Sequence, residues 1–476
     1  MVLSSEEKRL CPRIKTRLKV DLSDKISASV IDFSETGLSF SLSKKSKKSK
    51  KSKKPEEFKD AKQFPKSKQS EKIPLSHISL KIHLPNNRRT FKAKARIIWN
   101  KNESKNTSLY GAEFLNIGNE KRDFLRKELI KIQIDKFLNE DINLSEKKEI
   151  SHFFSQDVLD YINEVSDFCS TLKKQEYIPG QEKELEHIND KILLKGYCLE
   201  ELISDKTMIQ KVKDNFRTLA GTWIYKSIIV KKALESEPGY KRDFEINEMI
   251  YENKPISSNI GFCFDKVFLK SPYAVAIRQR KDNLKEKIKS FIQVSPLAQI
   301  NILNLNCGSC REIRELLFEI KTKKHIIFTC FDSNLEALKF LRDSTLKELP
   351  ENIEFKLVKK DVLDLINDKA SAHCYGKKDL IYSINLMDYL KNDILADLLK
   401  ELYELLAPGG KLLVTHRNKE KTFAPIAPDW FCNWSFIPRN KDEVVKLFYD
   451  SGFSPAALSV ESDDFGVTYF FILTKN

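Results

Sequence analysis

The chain has 476 residues, 41% of them hydrophobic and 32% charged, so it can bury sizeable cores and stay in solution. No run approaches the roughly 18 consecutive apolar residues of a membrane span, and the opening MVLSSEEKRL lacks the charged-then-apolar order of a secretory signal; a cytoplasmic location is expected. The formal charge of +15 is concentrated: residues 44–54, KKSKKSKKSKK, hold eight lysines and no acid, which argues against polyanion binding over the whole surface.

Residues 1–43 alternate apolar and polar positions in RLKVDL and ISASVIDF, the pattern of half-buried strands. Residues 44–72 are Lys/Ser-rich and then polar, with Pro55 and Pro65; nothing there can fill a core, so a disordered insertion is predicted. Strand signals resume in HISLKIHLP, TFKAKARIIWN and SLYGAEFLN, so the insertion interrupts one small β-barrel spanning residues 1–120. A solvated loop is the simpler reading of the lysine tract, and attraction to an anionic membrane surface the sharper one. Nucleic acid is not expected as a partner.

Two arginines four apart, Arg13 and Arg17, precede a strand and can grip phosphates and guanine edges together. Asp32 and Ser34, two apart on a strand end, face one side and can hydrogen-bond a base, and Gly37 is expected to permit the turn. This resembles the PilZ domain, a small β-barrel that binds cyclic di-GMP. Its R-x-x-x-R and D-x-S-x-x-G motifs are both complete here, and YGAEFL at 110–115 followed by a charged helix matches its last strand and helix. The resemblance implies that Arg13, Arg17, Asp32, Ser34 and Gly37 carry cyclic di-GMP as a regulatory ligand.

Residues 121–270 change period. Apolar positions recur at spacings of three and four in DFLRKELIKIQIDKFL and DVLDYINEVSDFCSTL, punctuated by Pro179-Gly180 and Pro238-Gly239. A helical connecting module is expected, with a homodimer through it as one option.

Residues 271–476 alternate strands and helices, which specifies a doubly wound, Rossmann-like α/β domain around a parallel sheet. Ligands of such sheets sit beyond the carboxyl ends of the strands at the switch point. There the first strand leads into the loop NLNCGSC at 304–310, where a ligand passing close to the backbone needs small residues. The second strand ends in Asp332, which can accept both hydroxyls of a ribose. The third ends in Asp361-Val362, an acid for an adenine amino group beside an apolar cover. This resembles the class I S-adenosylmethionine-dependent methyltransferases, which also match the LAPGG turn at 406–410. The resemblance implies a cofactor site of Asn304, Asn306, Gly308, Asp332, Asp361 and Val362. The loop departs from the family in lacking an acid at Asn304 and glycines at Asn306 and Cys310; larger side chains there narrow the approach. A nicotinamide dinucleotide would favour a fuller G-x-G-x-x-G loop. Cys307 and Cys310 form a C-x-x-C pair, but no thioredoxin-like context flanks it and the chain's nine cysteines show no framework spacing, so loop-filling by reduced thiols is the better account.

Flanking segments narrow the resemblance. SPYAVAIRQR at 271–280, DLIYS at 379–383, MDYL at 387–390, then Trp430, Trp434, Phe436, Arg439 and Glu461 look like the bacterial 3-hydroxypalmitic acid methyl ester biosynthesis proteins. The resemblance implies O-methylation of a carboxylate on a small acyl molecule of the 3-hydroxy fatty acid type. A carboxylate is already nucleophilic, so such an enzyme needs alignment and water exclusion rather than a general base. His416 and Arg417 are expected to orient the carboxylate, and Trp430 and Trp434 to line an acyl pocket; core packing is the competing reading for both tryptophans. The expected protein is a cyclic di-GMP-binding S-adenosylmethionine-dependent methyltransferase. The alternative is a non-catalytic cyclic di-GMP receptor whose degenerate methyltransferase domain is a partner-binding scaffold.

Overall fold

The computed structural model describes residues 13–22, 26–43, 77–85, 90–104, 107–138, 143–174, 177–236, 244–345, 349–368, 374–421 and 423–476. The Lys/Ser insertion expected at 44–72 lies outside the described residues. The chain divides into two compact units, residues 1–166 with 202–222 and residues 167–201 with 223–476.

The first unit is built on strands β1 (Ile14–Lys15), β2 (Lys19–Leu22), β3 (Ile26–Ser34), β4 (Gly37–Ser43), β5 (His77–His83), β6 (Thr90–Ser104) and β7 (Thr107–Leu115). They pair in the order β3-β2-β5-β6-β7-β4, and β4 returns to β3, which closes a six-stranded antiparallel barrel with β1 laid on β3. Period-two patterning drives this closure: HISLKIH turns Ile78, Leu80 and Ile82 inward and His77, Ser79 and Lys81 to solvent. Phe33, Phe40, Tyr110 and Phe114 fill the interior, with Phe40 stacked on Tyr110 at 5.3 Å. Gly37 corrects one expectation. Its φ is not positive, so the turn does not require it; a Cβ there would lie 2.1 Å from the Ala112 carbonyl oxygen, so glycine is what lets β4 approach β7.

Helices follow as α1 (Asn119–Leu138), α2 (Leu144–His152), α3 (Leu159–Lys174), α4 (Glu182–Leu202) and α5 (Lys206–Ile224), with a π-helical segment, Phe153–Val158, between α2 and α3. α1, α2, the start of α3 and most of α5 belong to the first unit; nearly all of α4 belongs to the second.

The second unit continues with α6 (Ile228–Glu235), α7 (Phe244–Glu252), α8 (Ile260–Lys270) and α9 (Pro272–Val294). Ser271 caps α9 by accepting from the Ala274 N–H, and Pro272 occupies the first turn, where its missing N–H costs nothing. Then come β8 (Gln299–Leu305), α10 (Arg311–Glu319), β9 (His325–Asp332), α11 (Leu335–Thr345), β10 (Ile353–Lys359), α12 (Asp364–Asn367), β11 (Lys378–Ser383), α13 (Asn392–Leu405), β12 (Leu406–Arg417), α14 (Phe423–Cys432), α15 (Lys441–Asp450), β13 (Leu458–Ser462) and β14 (Thr468–Thr474). The sheet order is β10-β9-β8-β11-β12-β14-β13, parallel from β10 to β12, with β14 antiparallel to both neighbours. One core joins α13 and α15 to the sheet through Leu395, Leu398, Leu402, Val444 and Phe448; each buried Leu is worth about 2 kcal/mol. A second core joins α9, α10 and α11 through Leu284, Ile288, Ile313, Leu316 and Leu341. The LAPGG turn is drawn into β12: the register jumps from Lys378 opposite Leu406 to Leu380 opposite Lys411, and Gly409, at φ +72°, takes the looped-out bend. Among the described residues, no helix is long and apolar enough to cross a membrane.

Candidate functional site

β8 and β11 are parallel neighbours, with Ile302 opposite Leu380 and Asn304 opposite Tyr382. The chain leaves β8 towards β9 on one side and β11 towards β12 on the other, so the loops beyond their carboxyl ends part. The cleft that opens there is narrow, with a cavity volume of about 50 Å³, well below that of an ordinary small-molecule site. Asn306 to Cys310 form one wall, Asp332 and Asn334 a second, and Ile384, Asn385 and Trp434 a third.

The loop wall has an unusual backbone. Asn306, Gly308 and Cys310 all have positive φ, at +54°, +54° and +50°. These are the positions where glycine suits the backbone, and only one of them is glycine. Asn tolerates the left-handed region; for Cys310 it stores strain on the order of 1 kcal/mol. The loop is pinned to β9: Cys307 N–H donates to the Phe331 carbonyl at 2.9 Å and Gly308 N–H to Asp332 Oδ2 at 2.7 Å. Asp332 Oδ1 accepts from the Asn334 N–H at 2.8 Å. Burial raises the Asp332 pKa above the ordinary carboxylate value, these two N–H groups oppose the rise, and Cys310 and Asp361 add to it.

Behind the loop, Asn304 is buried and does not line the cleft. Its Nδ2 lies 3.1 Å from Cys310 Sγ and 3.2 Å from Glu312 Oε1, which also accepts from Tyr382 Oη at 2.8 Å. Burial, with Cys310 nearby, pushes the Glu312 carboxyl up to about 8, so it stays protonated near neutrality. The C-x-x-C pair gains a third thiol from β9: the sulfurs of Cys307, Cys310 and Cys330 all lie within 4.8 Å of one another, a spacing that could hold a thiophilic ion.

Sequence reasoning missed the helix that covers the loop. Phe244, Asn247 and Tyr251 of α7 line the cleft. From the same helix Glu248 receives Ser309 Oγ, Arg311 Nη1 at 2.9 Å and Arg314 Nη1 at 3.2 Å. Charged side chains at i and i+4 on α7, Glu248 and Glu252, both hold Arg311. That spacing was readable; its partner, some 60 residues downstream, was not.

Other expected cofactor and catalytic residues are placed differently. Asp361 Oδ1 accepts from the Leu363 N–H at 3.1 Å and caps the turn after β10, while Val362 belongs to the core with Phe331 and Leu365; neither lines the cleft. His416 and Arg417 close around Asp388. His416 Nδ1 lies 2.9 Å from Asp388 Oδ1, and Arg417 Nε lies 3.3 Å from Oδ2. Arg417 also donates to Tyr273 Oη at 2.9 Å and stacks 3.7 Å from the Phe436 ring centre. Its guanidinium is therefore spent inside the protein rather than free for a carboxylate. Trp430 donates to Glu200 Oε1 at 2.7 Å and packs so tightly on Gly196 of α4 that a Cβ there would lie 2.6 Å from the indole. The tryptophan on the cleft wall is Trp434, whose Nε1 donates to Tyr389 Oη at 2.7 Å.

In the first unit, the two arginine and aspartate motifs run side by side. Lys15 lies opposite Asp32 in the β1–β3 pairing, and Thr16 N–H and Val30 N–H bond across to Ile31 and Leu18. Ile14, Thr16 and Leu18 are buried, so Arg13, Lys15 and Arg17 point outward. Arg13 Nη1 pairs with Asp32 Oδ1; Arg17 is exposed and has no partner among the described residues. Ser34 is fully buried and committed to its own turn, accepting from the Gly37 N–H at 3.2 Å and donating to the Gly37 carbonyl at 3.0 Å. The neighbouring Glu35 is buried against Arg126 of α1, which also donates to Asn163 Oδ1 and Ser166 Oγ.

No family model and no curated protein matches the chain. Among solved structures it is similar to a possible exported protein from Bordetella parapertussis, at 15% identity over 67% of this chain and 96% of that one, with a TM-score of 0.38. It is similar to magnesium protoporphyrin IX methyltransferase from Synechocystis with bound S-adenosylmethionine, at 12% identity over 43% of this chain and 84% of that one, with a TM-score of 0.32. A third likeness is to the inhibitor of motility from Bacillus subtilis, at 20% identity over 27% of this chain and 52% of that one, with a TM-score of 0.19.

Proposed function

We propose that the chain is a cyclic di-GMP-binding, S-adenosylmethionine-dependent methyltransferase that O-methylates the carboxylate of a small acyl molecule of the 3-hydroxy fatty acid type. One observation carries the methyltransferase reading: a loop with three left-handed positions, tied by the Gly308 N–H to a strand-end acid, Asp332, at the switch point of a doubly wound sheet. When bound, the cofactor supplies an electrophilic methyl group on a sulfonium. The chain supplies the rest. Asp332 keeps one oxygen lone pair on each side beyond those used by Gly308 and Asn334, enough to receive two ribose hydroxyls. Phe244, Tyr251 and Trp434 offer apolar faces that exclude water from a nucleophilic oxygen. His416 and Arg417 act through Asp388, holding the segment after β11, and Trp430 acts through α4.

Adjacency supports the cyclic di-GMP reading. Arg13 and Arg17 share the outer face of one segment, with Asp32 on the strand paired to it. Arg13 is poised to exchange Asp32 for a phosphate. Calorimetric titration of the full chain tests both halves. Cyclic di-GMP is expected to bind the wild type and to bind Arg13→Ala at least tenfold more weakly, about 1.4 kcal/mol; equal affinities, or none, would defeat that half. S-adenosylhomocysteine is expected to bind, and Asp332→Asn to abolish it. The non-glycine residues Asn306 and Cys310 favour the rival reading, a receptor with a degenerate scaffold domain. A folded chain that binds cyclic di-GMP but no S-adenosylhomocysteine is that protein.

A further inference from the structure

Arg280 of α9 is 1% exposed, yet most of its guanidinium is idle. Nη1 donates to Asn385 Oδ1 at 3.0 Å, while Nε and Nη2 have no partner among the described residues. Buried guanidinium groups are ordinarily matched by a carboxylate. The carboxylate nearby is Asp388, whose acidity is raised by His416, Arg417 and Arg280 against the cost of its burial. It is already engaged: Oδ1 faces His416 and accepts the Arg417 N–H at 2.9 Å, and Oδ2 faces Arg417 Nε. Arg439, 2% exposed, also senses Asp388 but gives its donors to Asn392 Oδ1 and the carbonyls of Met387 and Leu390. Three buried guanidinium groups therefore share one carboxylate; Arg280 keeps two nitrogens without a hydrogen bond among the described residues, and Arg417 keeps one, its Nε, which is ion-paired to Asp388.

The surplus charge sits one layer behind the cleft. Asn385 and Trp434 are both in the wall. Arg280 can only donate, so it fixes the Asn385 amide with Oδ1 inward; Nδ2 then lies 3.2 Å from Tyr389 Oη and keeps its second hydrogen. Resting on the methyltransferase reading of this cleft, we propose that its Asn385–Trp434 end is a carboxylate subsite, with Asn385 Nδ2 as the neutral donor in the wall and Arg280 as the countercharge behind it. Arg417, the arginine that sequence reasoning selects, faces Asp388 with Nε and Tyr273 with Nη2 and does not line the cleft. The carboxylate belongs either to the methionyl part of the cofactor or to the acyl acceptor.

Calorimetry on the full chain separates these sources with two ligand pairs: S-adenosylhomocysteine against its decarboxylated analogue, and 3-hydroxydecanoate against 3-hydroxydecanamide. Arg280→Met is expected to weaken the acid of one pair by about tenfold or more and its neutral counterpart by less than about twofold, with Arg280→Lys in between. Loss in the first pair assigns the subsite to the cofactor, and loss in the second to the acceptor. Equal changes within both pairs overturn the proposal. Should Arg280→Met fail to fold by circular dichroism, the wild type decides alone: an acid bound about tenfold tighter than its neutral partner supports the subsite, and equal binding in both pairs overturns it. Absence of any S-adenosylhomocysteine binding to the wild type sinks the methyltransferase reading itself; binding without acid–neutral discrimination sinks the subsite only.

Discussion

Lys378 begins β11 and is buried, and among the described residues its Nζ meets Thr329 Oγ1 at 3.3 Å. Burial, reinforced by Lys356, lowers its pKa to about 8. The unfolded value is about 10.4, so the folded state loses this proton first. Below pH 8 the full cost of burying an ammonium is present; between about 8 and 10 the unfolded state holds more protons and stability rises with pH. Lys378→Met removes that cost. It is expected to raise Tm at pH 7 by several degrees, on the order of 2–4 °C per kcal/mol recovered, and the gain over wild type should shrink towards pH 10. A gain that stays constant across this range contradicts the assignment. At loop 306–310 the residue-scale conflict is conformational. Asn306 occupies a left-handed position beside the cleft, where glycine is both unstrained and smaller. Asn306→Gly is expected to tighten S-adenosylhomocysteine about threefold by calorimetry. Weaker binding would mean that the Asn306 side chain itself contacts the ligand.

At the scale of elements, two short segments are held from outside by buried or half-buried charge. Loop 306–310 is held by α7: Glu248→Gln keeps the shape but removes the charge that gathers Ser309, Arg311 and Arg314. Faster amide exchange at 307–311 and about tenfold weaker S-adenosylhomocysteine binding are expected, with α11 and β9 unchanged. The turn between β3 and β4 is held by α1 through Glu35 and Arg126, both largely buried. Arg126→Met strands the Glu35 carboxylate and is expected to cost about 3 kcal/mol in urea unfolding, whereas Glu35→Leu combined with Arg126→Met should recover most of it. These clamps show where sequence reading stops. Barrel strands were legible because one face is buried, so HISLKIH and TFKAKARI alternate cleanly. β8 and β9 were legible as mostly apolar runs, interrupted by Asn301 and Thr329, that end at Leu305 and Asp332. Asp332 was found because a strand end fixes its position locally. Glu248 and Arg280 were not assigned because each supports a cleft wall from a distant segment, through Ser309 and Asn385, and no local period encodes that meeting. Arg417 was chosen because it was expected just after the fifth strand, yet Asp388, Tyr273 and Phe436 engage it.

For the whole molecule, the α/β core does not end where its strand pattern begins. Sequence reading starts the C-terminal domain at residue 271, yet the second compact unit also takes residues 167–201 and 223–270. Five contacts show what those segments contribute within the unit. Glu200 and Gly196 of α4 form the seat of Trp430. Tyr225 Oη donates to the Phe431 carbonyl at 3.2 Å. Glu248 of α7 ties down loop 306–310, and Phe244 of the same helix packs 5.1 Å from the Phe340 ring. A fragment of residues 271–476 would expose Trp430, which is 0% accessible in the intact unit, and open the cleft wall that Phe244 and Tyr251 provide. Exposing that one indole and its neighbours forfeits about 3 kcal/mol before the loop is counted, a large share of the 5–15 kcal/mol that holds an ordinary domain. The fragment 271–476 is therefore expected to melt well below a fragment of residues 167–476 and to bind no S-adenosylhomocysteine, while the longer fragment keeps the affinity of the full chain. Calorimetric melting and titration of the two fragments side by side decide it. Equal melting temperatures and equal affinities would show that the helices upstream of residue 271 are dispensable to the fold, and that loop 306–310 holds its shape without α7.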